Sequence, residues 1–270
     1  MAVLNTNPEI LLKKRKDKDR KRLEKQEQAI ERELKQKIQK KKQRSKFIRA
    51  ETLISNHKSK ELESKRIKNI TKHEQRISHD DTTTTTAQLL FVIRVPDHTK
   101  GLKIPSKAKK VLDLLKLNKP NTGVFVKLTS TVEPLLKLVN PYIVCGTPSL
   151  QTVRTLFQKR ATIKTVDEET GATKTVKLDN NQVVEDVFGT EYGWICIEDL
   201  VHELVSLGDN FKVVSHWLVP FSLNLPVSGW GPQAKLARLQ LASANERKVS
   251  LAGNVLLAQI DIDKIIEDQN

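Results

Sequence analysis

The sequence predicts an α+β fold, in which a β-α-β-α-β core and a second small α/β subdomain follow a long, basic, helical N-terminal arm. After residue 88, short apolar runs rich in β-branched residues alternate with stretches of helical periodicity. Farther along, two runs of alternating apolar and polar residues flank a turn, which indicates a hairpin. The first 77 residues consist mainly of strong helix formers, with no glycine and no proline except Pro8. These patterns favour helices packed on a sheet, preceded by a helical arm.

Most of the positive charge lies in this arm. Residues 1–80 contain 25 Lys and Arg against 12 Asp and Glu, whereas residues 81–270 contain 22 against 20. A segment with such an excess binds polyanions by neutralising phosphates and releasing their counterions. The arm residues that we expect to contact the phosphates of this polyanion are Lys13, Lys14, Arg15, Lys40, Lys41, Lys42, Arg44 and Lys46.

The apolar residues of the arm are too few to order it alone, so we expect it to become helical along a partner. Leu23, Ile30, Leu34 and Ile38 are spaced by 7, 4 and 4 residues, which suits a helix lying on a surface. The pattern is too short for a coiled coil and therefore disfavours a basic zipper. Residues 78–87, with five consecutive threonines, are predicted to be a linker.

The predicted core begins after the linker. Strand signals occur at Leu89–Val95, Val124–Leu128 and Tyr142–Cys145. Between them, helical periodicity starts at Ser106, and a second short helix is predicted at Val132–Val139. Strand, helix, strand, helix and strand within residues 88–148 predict helices packed on one sheet.

The second subdomain is predicted at residues 149–232. Ser149 is a suitable N-cap for a helix to Arg160, and the hairpin strands are Ile163–Val166 and Thr173–Leu178. The sequence then predicts a helix at Asn181–Phe188 ended by Gly189, an apolar run at Trp194–Ile197, and a helix to Leu207 ended by Gly208. After Phe211 no element is predicted until 235–241, within a C-terminal tail that covers 233–270.

Sequence motifs for catalysis are missing. The glycines occur singly, so no phosphate-binding loop is present. Cys145 and Cys196 lack the CxxC spacing of zinc or redox sites, and His202 lacks a second ligand four residues later. Asp199 lies at a helix start, where its charge complements the dipole. The sequence therefore predicts no enzyme activity, no metal and no cofactor, and an RNA-modifying enzyme would need a donor pocket that these motifs do not provide.

The chain has no apolar run of the ~18 residues that a membrane span requires, and its polar start lacks the hydrophobic region of a signal peptide. We therefore expect a cytosolic or nuclear protein without a membrane partner. Lysine runs in the arm suit a nuclear address, although the same runs can simply contact phosphate.

Basic residues in the folded part occur beside turns and helix ends. Structured RNA is recognised mainly through phosphates, sugar hydroxyls and shape, which requires cations fixed on a folded surface. The candidates are Arg94, Lys103, Lys107, Lys109, Lys119, Lys127, Lys159 and Arg160. For each single lysine, an ordinary solvated surface is an equal alternative. Trp230, between two glycines, is either a close contact for a partner or a packed corner of the fold.

Several motifs between residue 89 and about residue 232 resemble the large-subunit ribosomal protein family called L-seven, whose bacterial and archaeal relatives are called L-thirty. The motifs are Leu90–Val95, Ile104–Lys107, Asn121–Lys127, Gly146–Ser149, Gln158–Arg160, Ile197–Glu203 and Ser228–Gly231. The resemblance implies an L-thirty-like, ferredoxin-like core, ribosomal RNA as the ligand, a basic N-terminal extension and no enzymatic activity.

Within this family, the chain is most similar to the fungal L-seven-like ribosome biogenesis factors. The residues that carry this similarity are Leu4–Arg15, Lys46–Glu51, Asp179–Asn181 and Ile260–Asp263. The similarity implies a non-catalytic nucleolar factor that binds precursor ribosomal RNA during assembly of the large (60S) subunit, together with other assembly factors and ribosomal proteins. The alternative is a structural protein of the mature large subunit.

Overall fold

The computed structural model describes residues 8–44, 49–77, 87–96, 104–166, 173–226, 230, 251–254 and 256–270. The N-terminal part forms two helices, α1 (Pro8–Arg44) and α2 (Ala50–Ile77). The sequence predicted one continuous helical arm, because the composition of residues 1–77 does not separate the two helices. Most of the predicted linker, at 78–86, lies outside the described residues, as do the predicted turn at 167–171 and the predicted element at 235–241.

A four-stranded antiparallel sheet forms the centre of the fold. Its strands are β1 (Gln88–Arg94), β2 (Thr122–Leu128), β3 (Ile143–Gly146) and a short β6 (Phe221–Ser222), in the order β3-β1-β2-β6. In the central pair, Phe91 lies opposite Phe125. All three strands predicted for the core are confirmed, and the fourth comes from a region where no element was predicted.

Two helices connect the core strands. Helix α3 (Ser106–Leu114) joins β1 to β2, and α4 (Glu133–Val139), followed by a 3₁₀ turn, joins β2 to β3. The β-α-β-α-β order that the sequence predicts is therefore present. The overall class is α+β, because all pairs within the sheets are antiparallel.

The remaining elements follow β3. They are α5 (Leu150–Arg160), β4 (Thr162–Val166), β5 (Thr173–Lys177), α6 (Gln182–Tyr192), α7 (Ile197–Val205), α8 (Phe211–Trp217) and α9 (Ile262–Gln269). The β4–β5 hairpin is confirmed, with Ile163 opposite Val176. The Ser149 cap is confirmed too, since its hydroxyl accepts the N–H of Thr152 at 3.3 Å.

Hydrophobic cores cover both faces of the central sheet. Successive residues of a strand point to opposite faces, so Leu90 and Val92 of β1 face one side while Phe91 and Ile93 face the other. The first side packs against α2, α3 and α4, and the second packs against α5 to α9. The helices after residue 149 therefore share a hydrophobic core with the sheet.

Two predicted helix ends differ from the structure. Helix α6 continues through Gly189 and ends at Gly193, whose φ of 70° places it in the left-handed region. After α7, the left-handed residue is Leu207, with φ 56°, and Gly208 has no positive φ. A glycine favours a helix end but does not force one, because the packing of Phe188 holds α6 helical beyond Gly189.

The C-terminal segment packs against the sheet. The N–H of Ile260 donates to the carbonyl of Cys145 at 3.0 Å, which adds a parallel bridge beside β3. Ile262 and Ile266 of α9 are buried in the core, and the N–H of Ser149 donates to a carboxylate oxygen of Asp263 at 3.0 Å. The sequence analysis assigned these residues to a tail and predicted no element there.

A buried ionic network attaches α2 to the folded part. Arg66 is 1% exposed, and its guanidinium donates to the Glu63 carboxylate at 2.9 and 2.7 Å. It also donates to the carbonyls of Lys137 and Leu138 at the end of α4, at 3.2 and 2.7 Å. The Tyr142 hydroxyl donates to the same carboxylate at 2.9 Å. Helix α2 is therefore an integral part of the fold.

We expect Gly123→Ala to lower the free energy of unfolding by about 3 kcal/mol, because overpacking a full core forces strained rearrangement. A Cβ at this position would lie 2.2 Å from the Phe91 ring, inside the buried sheet. Gly189→Ala is a matched control, because its Cβ would lie 3.3 Å from a flexible Glu185 side chain. It should stabilise α6 by up to about 1 kcal/mol. Urea denaturation measures the free energy of unfolding of both variants. Equal stabilities of Gly123→Ala and Gly189→Ala would contradict the described packing around Gly123.

Candidate nucleic-acid interface

Helix α3 presents a row of exposed lysines. Ala108, Val111 and Leu112 are buried against the sheet, so the lysines of α3 point outward. Lys107 and Lys109 are both exposed, as the sequence predicted, and the next residue, Lys110, is exposed too. Within the described chain, no ion pair to a carboxylate neutralises these three lysines. The surface of α3 is therefore a cationic surface on a rigid element.

Sequence reasoning missed Lys110, although a signal was present. Lys107 and Lys110 are three residues apart, a spacing that places two side chains on the same face of a helix. Proximity to turns and helix starts indicates only Lys107 and Lys109, whereas helical spacing also indicates Lys110.

Lys119 and Lys159 are two further exposed cations. Lys119 lies in the turn before β2, where its carbonyl accepts the Thr122 hydroxyl at 2.7 Å. The same turn is fixed by the N–H of Asn121, which donates to the carbonyl of Arg94 at 2.8 Å. Lys159 lies in the last turn of α5. Both are held on ordered backbone, which suits recognition of a phosphate in a defined position.

Three of the candidate cations instead bind backbone carbonyls of the protein itself. Arg94 is 5% exposed and donates to the carbonyl of Tyr142 at 3.1 Å, with its guanidinium over the Tyr142 ring. The Lys127 ammonium donates to the carbonyl of Leu207 at 2.8 Å. Sequence alone does not distinguish a solvated cation from one that binds a carbonyl distant in the chain.

Arg160 is the third. Its guanidinium donates to the carbonyl of Ser222 at 3.0 Å and to Asn270 Oδ1 at 3.2 Å. Burial, and after it the nearby charge of Arg22, lowers the pKa of Arg160 below its ordinary value. These contacts connect α5 to β6 and to the end of α9, which gives Arg160 a structural task.

Helix α1 carries 16 Lys and Arg against 7 Asp and Glu. Arg15 and Lys40 are exposed on it, as predicted. The helix also contains Lys13, Lys14, Lys41, Lys42 and Arg44, whose side chains lie outside the described part, whereas Lys46 and Lys103 lie outside it entirely. Some charges pair along the helix, as in Lys35 with Glu31 at 2.7 Å. Among residues 15–40, whose side chains are described, all of the Lys and Arg except Arg22 are exposed.

The apolar stripe on α1 is also exposed. Leu23, Ile30, Leu34 and Ile38 are about half exposed each, so no described part of the chain covers this face. The helix contacts the folded part through Arg22, which donates to the backbone oxygen of Asn270. A helix with this exposure suits an external partner along its length.

Groups with catalytic potential are used structurally. Backbone N–H groups of Cys196 and Ile195 donate to Asp199 at 2.9 Å each and hold the pKa of its carboxyl below the ordinary value. This is the helix-start role that the sequence predicts for Asp199. Burial raises the pKa of the Cys145 thiol to about 12, which makes it a poor nucleophile.

The described residues include no group of three or more His, Cys, Asp or Glu that could hold a metal ion. None of their helices is long and apolar enough to cross a membrane.

Trp230 forms a packed corner of the fold. It is 8% exposed, and its indole N–H donates to Asn121 Oδ1 at 3.0 Å. Asn121 has a φ of 58°, so this hydrogen bond fixes a strained turn next to Lys119. Of the two alternatives for Trp230, the structure shows the packed corner.

Comparisons with known proteins identify the family. The family model described as "Ribosomal protein L30p/L7e" matches residues 90–143, which span β1 to the start of β3. The "Ribosome biogenesis protein RLP7" of Debaryomyces hansenii is 63% identical over the whole of both chains. The protein of the same name in Saccharomyces cerevisiae is 33% identical over 99% of this chain and 97% of its own.

Ribosomal proteins match over a smaller part. The "Large ribosomal subunit protein uL30A" of Schizosaccharomyces pombe is 40% identical over 80% of each chain. The full-length matches are therefore those to the biogenesis proteins, and they include the basic helix α1. The chain belongs to the RLP7 family of ribosome biogenesis proteins, a non-enzymatic family that carries the L30p/L7e domain.

Proposed function

We propose that this ribosome biogenesis protein binds precursor ribosomal RNA during assembly of the large (60S) subunit, helps the RNA to fold and be processed, and leaves before the particle is finished. The observation that carries the proposal is the set of exposed cations on two helices, α1 and α3. Family membership gives the context of ribosome biogenesis.

The binding mechanism is electrostatic. Cations on rigid helices neutralise phosphates and release counterions, which gives strong but sequence-independent affinity. The lysines of α3 and Lys119 fix the position of the folded part on the RNA, because their backbone is ordered. Helix α1 extends the contact along the RNA. Sequence-specific placement then depends on the shape of the folded RNA.

We propose a set of RNA-binding residues that differs from the one predicted from the sequence. We retain Arg15 and Lys40 on α1 and the body residues Lys107, Lys109 and Lys119, with Lys159 as a separate contact. We add Lys110. The remaining arm cations, Lys13, Lys14, Lys41, Lys42, Arg44 and Lys46, stay in the proposal on sequence alone, as does Lys103. Arg94, Lys127 and Arg160 leave it, because they bind carbonyls of the protein.

The organisation of the chain follows from these roles. We divide the chain into a basic helical arm at 1–77, a linker at 78–87, an L-thirty-like, ferredoxin-like RNA-binding core at 88–148, an α/β part at 149–232 and a C-terminal segment at 233–270. The last two share one hydrophobic core with the sheet of 88–148. Within the arm, α1 is the RNA-binding part, whereas α2 packs on the core. The place of action is the nucleolus, among other pre-60S assembly factors and ribosomal proteins.

A structural role in the mature large subunit is the second candidate. The observation that favours it is the 40% identity to a uL30 protein over 80% of the chain. The two candidates share the RNA chemistry and differ in which particle holds the protein.

Ultraviolet crosslinking in cells, with sequencing of the attached RNA, tests the proposal. We expect reads from spacer-adjacent precursor RNA, and sedimentation of the protein with precursor particles but not with polysomes. Reads confined to mature ribosomal RNA, together with protein in the polysome fractions, would establish the alternative. If neither precursor nor mature ribosomal RNA were crosslinked to the protein, both candidate functions would be overturned.

A further inference from the structure

One stretch of this basic chain is strongly acidic. Residues 178–211 contain eight Asp and Glu and no Lys or Arg, in a chain with a net charge of +15. The stretch forms α6 and α7 and the loops around them. Such a concentration of carboxylates repels the phosphates of RNA.

The acidic stretch and the lysines of α3 lie on opposite sides of the molecule. The buried residues of α3 pack on the sheet face that carries Leu90 and Val92. The buried residues of α6 and α7, such as Phe188 and Leu200, belong to the cluster that contains Phe91 and Ile93 on the other face. The surface of α6 and α7 is therefore separate from the lysine surface of α3.

An apolar patch lies within the acidic stretch. Tyr192 and Trp194 are stacked with ring centroids 4.8 Å apart, both partly exposed, and both rings contact the buried Phe188. Ile195 follows directly and is 62% exposed. Tyr and Trp are enriched at protein interfaces, and the exposed Ile195 next to Trp194 in the chain adds apolar surface beside the two rings.

The patch has a rigid backbone. Asp199 accepts the N–H of Ile195 and the N–H of Cys196, and Asn181 accepts the N–H of Ile197 at 3.2 Å. These bonds tie the loop to the starts of α6 and α7. An exposed anchor on a fixed backbone loses little conformational entropy on binding.

Exposed carboxylates border the patch. Glu191 precedes Tyr192 and is exposed. Glu185 is exposed too, and it lies close to Trp194 because both residues flank Gly189. A Cβ placed on Gly189 would be 3.3 Å from Glu185 Cγ and 3.8 Å from the carbonyl oxygen of Trp194. Glu198, at the start of α7, is paired with Arg154 at 3.0 Å. The apolar patch therefore has a negatively charged rim.

We propose that the surface formed by Tyr192, Trp194, Ile195, Glu185 and Glu191 docks a lysine- and arginine-rich segment of another protein. The apolar residues of that segment pack on Ile195, and its cations contact the carboxylates and the aromatic rings. This docking proposal goes beyond RNA binding. It rests on the proposed function in one respect, because it assumes that RNA is bound to the basic helix α1. Helix α1 of the same molecule already contacts Asn270 through Arg22.

A photocrosslinking amino acid at position 195 of the full-length chain, in living cells, tests the proposal. We expect a crosslink to a different protein, with the crosslinked peptide, sequenced by mass spectrometry, rich in Lys and Arg. The same probe at position 114 is the control, since Leu114 is 72% exposed on α3 and should not capture that peptide. A crosslink to RNA, to an acidic or neutral peptide or to residues 8–44 of this chain would overturn the proposal, as would no crosslink.

The charge of the rim is tested separately. Glu185→Gln with Glu191→Gln should lower the crosslinking yield at position 195 about fivefold, the factor that corresponds to about 1 kcal/mol. Glu267→Gln with Asp268→Asn removes two exposed carboxylates from α9 and should leave the yield unchanged. An equal loss in both pairs would contradict docking at this rim. RNA crosslinking in the same cells separates failure of this proposal from failure of the proposed function, because only the latter abolishes the RNA signal.

Discussion

Replacing Arg66 with alanine is expected to lower the free energy of unfolding by about 3–5 kcal/mol, because it leaves the buried Glu63 carboxylate without its cation. Glu63 is 4% exposed, and Arg66 supplies two of its hydrogen bonds. The carbonyls of Lys137 and Leu138 also lose a donor. Since a domain of this kind has a total stability of about 5–15 kcal/mol, this is a large fraction. Urea denaturation of the full chain measures the effect.

Two further variants make the measurement specific. Arg76→Ala removes an exposed arginine from the same helix and should change stability by less than about 0.5 kcal/mol. Replacing both Glu63 and Arg66 with methionine removes the ionic pair as a unit, and should cost less than Arg66→Ala alone. If Arg66→Ala were no more destabilising than Arg76→Ala, α2 would not be anchored to α4 as described.

The β-α-β-α-β core could be predicted from sequence because its signals are local. The strand Leu89–Val95 is a short β-branched run closed by a proline, and Ala108, Val111 and Leu112 repeat at helical spacing. Each element is short and bounded by turn residues, so its apolar pattern distinguishes a helix from a strand. The structure confirms all five elements.

Elements held by long-range packing could not be predicted. Helix α8 and strand β6 lie in a region with several prolines, where the local signals are weak, and β6 exists because Phe221 pairs with Gly123. The docking of Ile262 and Ile266 depends in the same way on a groove formed by earlier parts of the chain. Tertiary contacts override local propensity in such segments.

The charge of the candidate site could be predicted from the sequence, whereas the contacts that its cations make within the protein could not. The excess of cations in α1 and α3 follows from composition. Arg94, Lys127 and Arg160 look the same in sequence as Lys107, yet they bind backbone carbonyls that are distant along the chain. The buried pair of Glu63 and Arg66 was hidden among the charges of the arm for the same reason.

Removal of residues 1–49 is expected to weaken the affinity for structured RNA by at least about 100-fold at moderate salt, because each lost phosphate contact also removes released counterions. The truncation deletes the 16 Lys and Arg of α1 and ends before α2, whose residues Arg66 and Ile67 belong to the folded part. The thermal unfolding of the remaining chain should stay cooperative. The sequence alone suggests removing residues 1–60 and predicts that the rest stays folded. That cut would remove the first eleven residues of α2, which packs on the folded part, so the truncation ends at residue 49 instead.

A second variant keeps α1 and changes the folded part of the chain. Replacing Lys107, Lys109 and Lys110 with glutamine removes three exposed cations from α3 without touching its buried face. The slope of log affinity against log salt should then fall in magnitude by about 2–3, since each phosphate contact contributes about 0.7–0.9.

The salt dependence of binding to a structured fragment of precursor ribosomal RNA tests the central claim most directly, with the full chain and the chain lacking residues 1–49 measured side by side. Two exposed basic helices predict a steep slope for the full chain, and a slope smaller in magnitude by about 5 or more after truncation. Equal slopes for the two proteins would contradict the assignment of α1 to RNA.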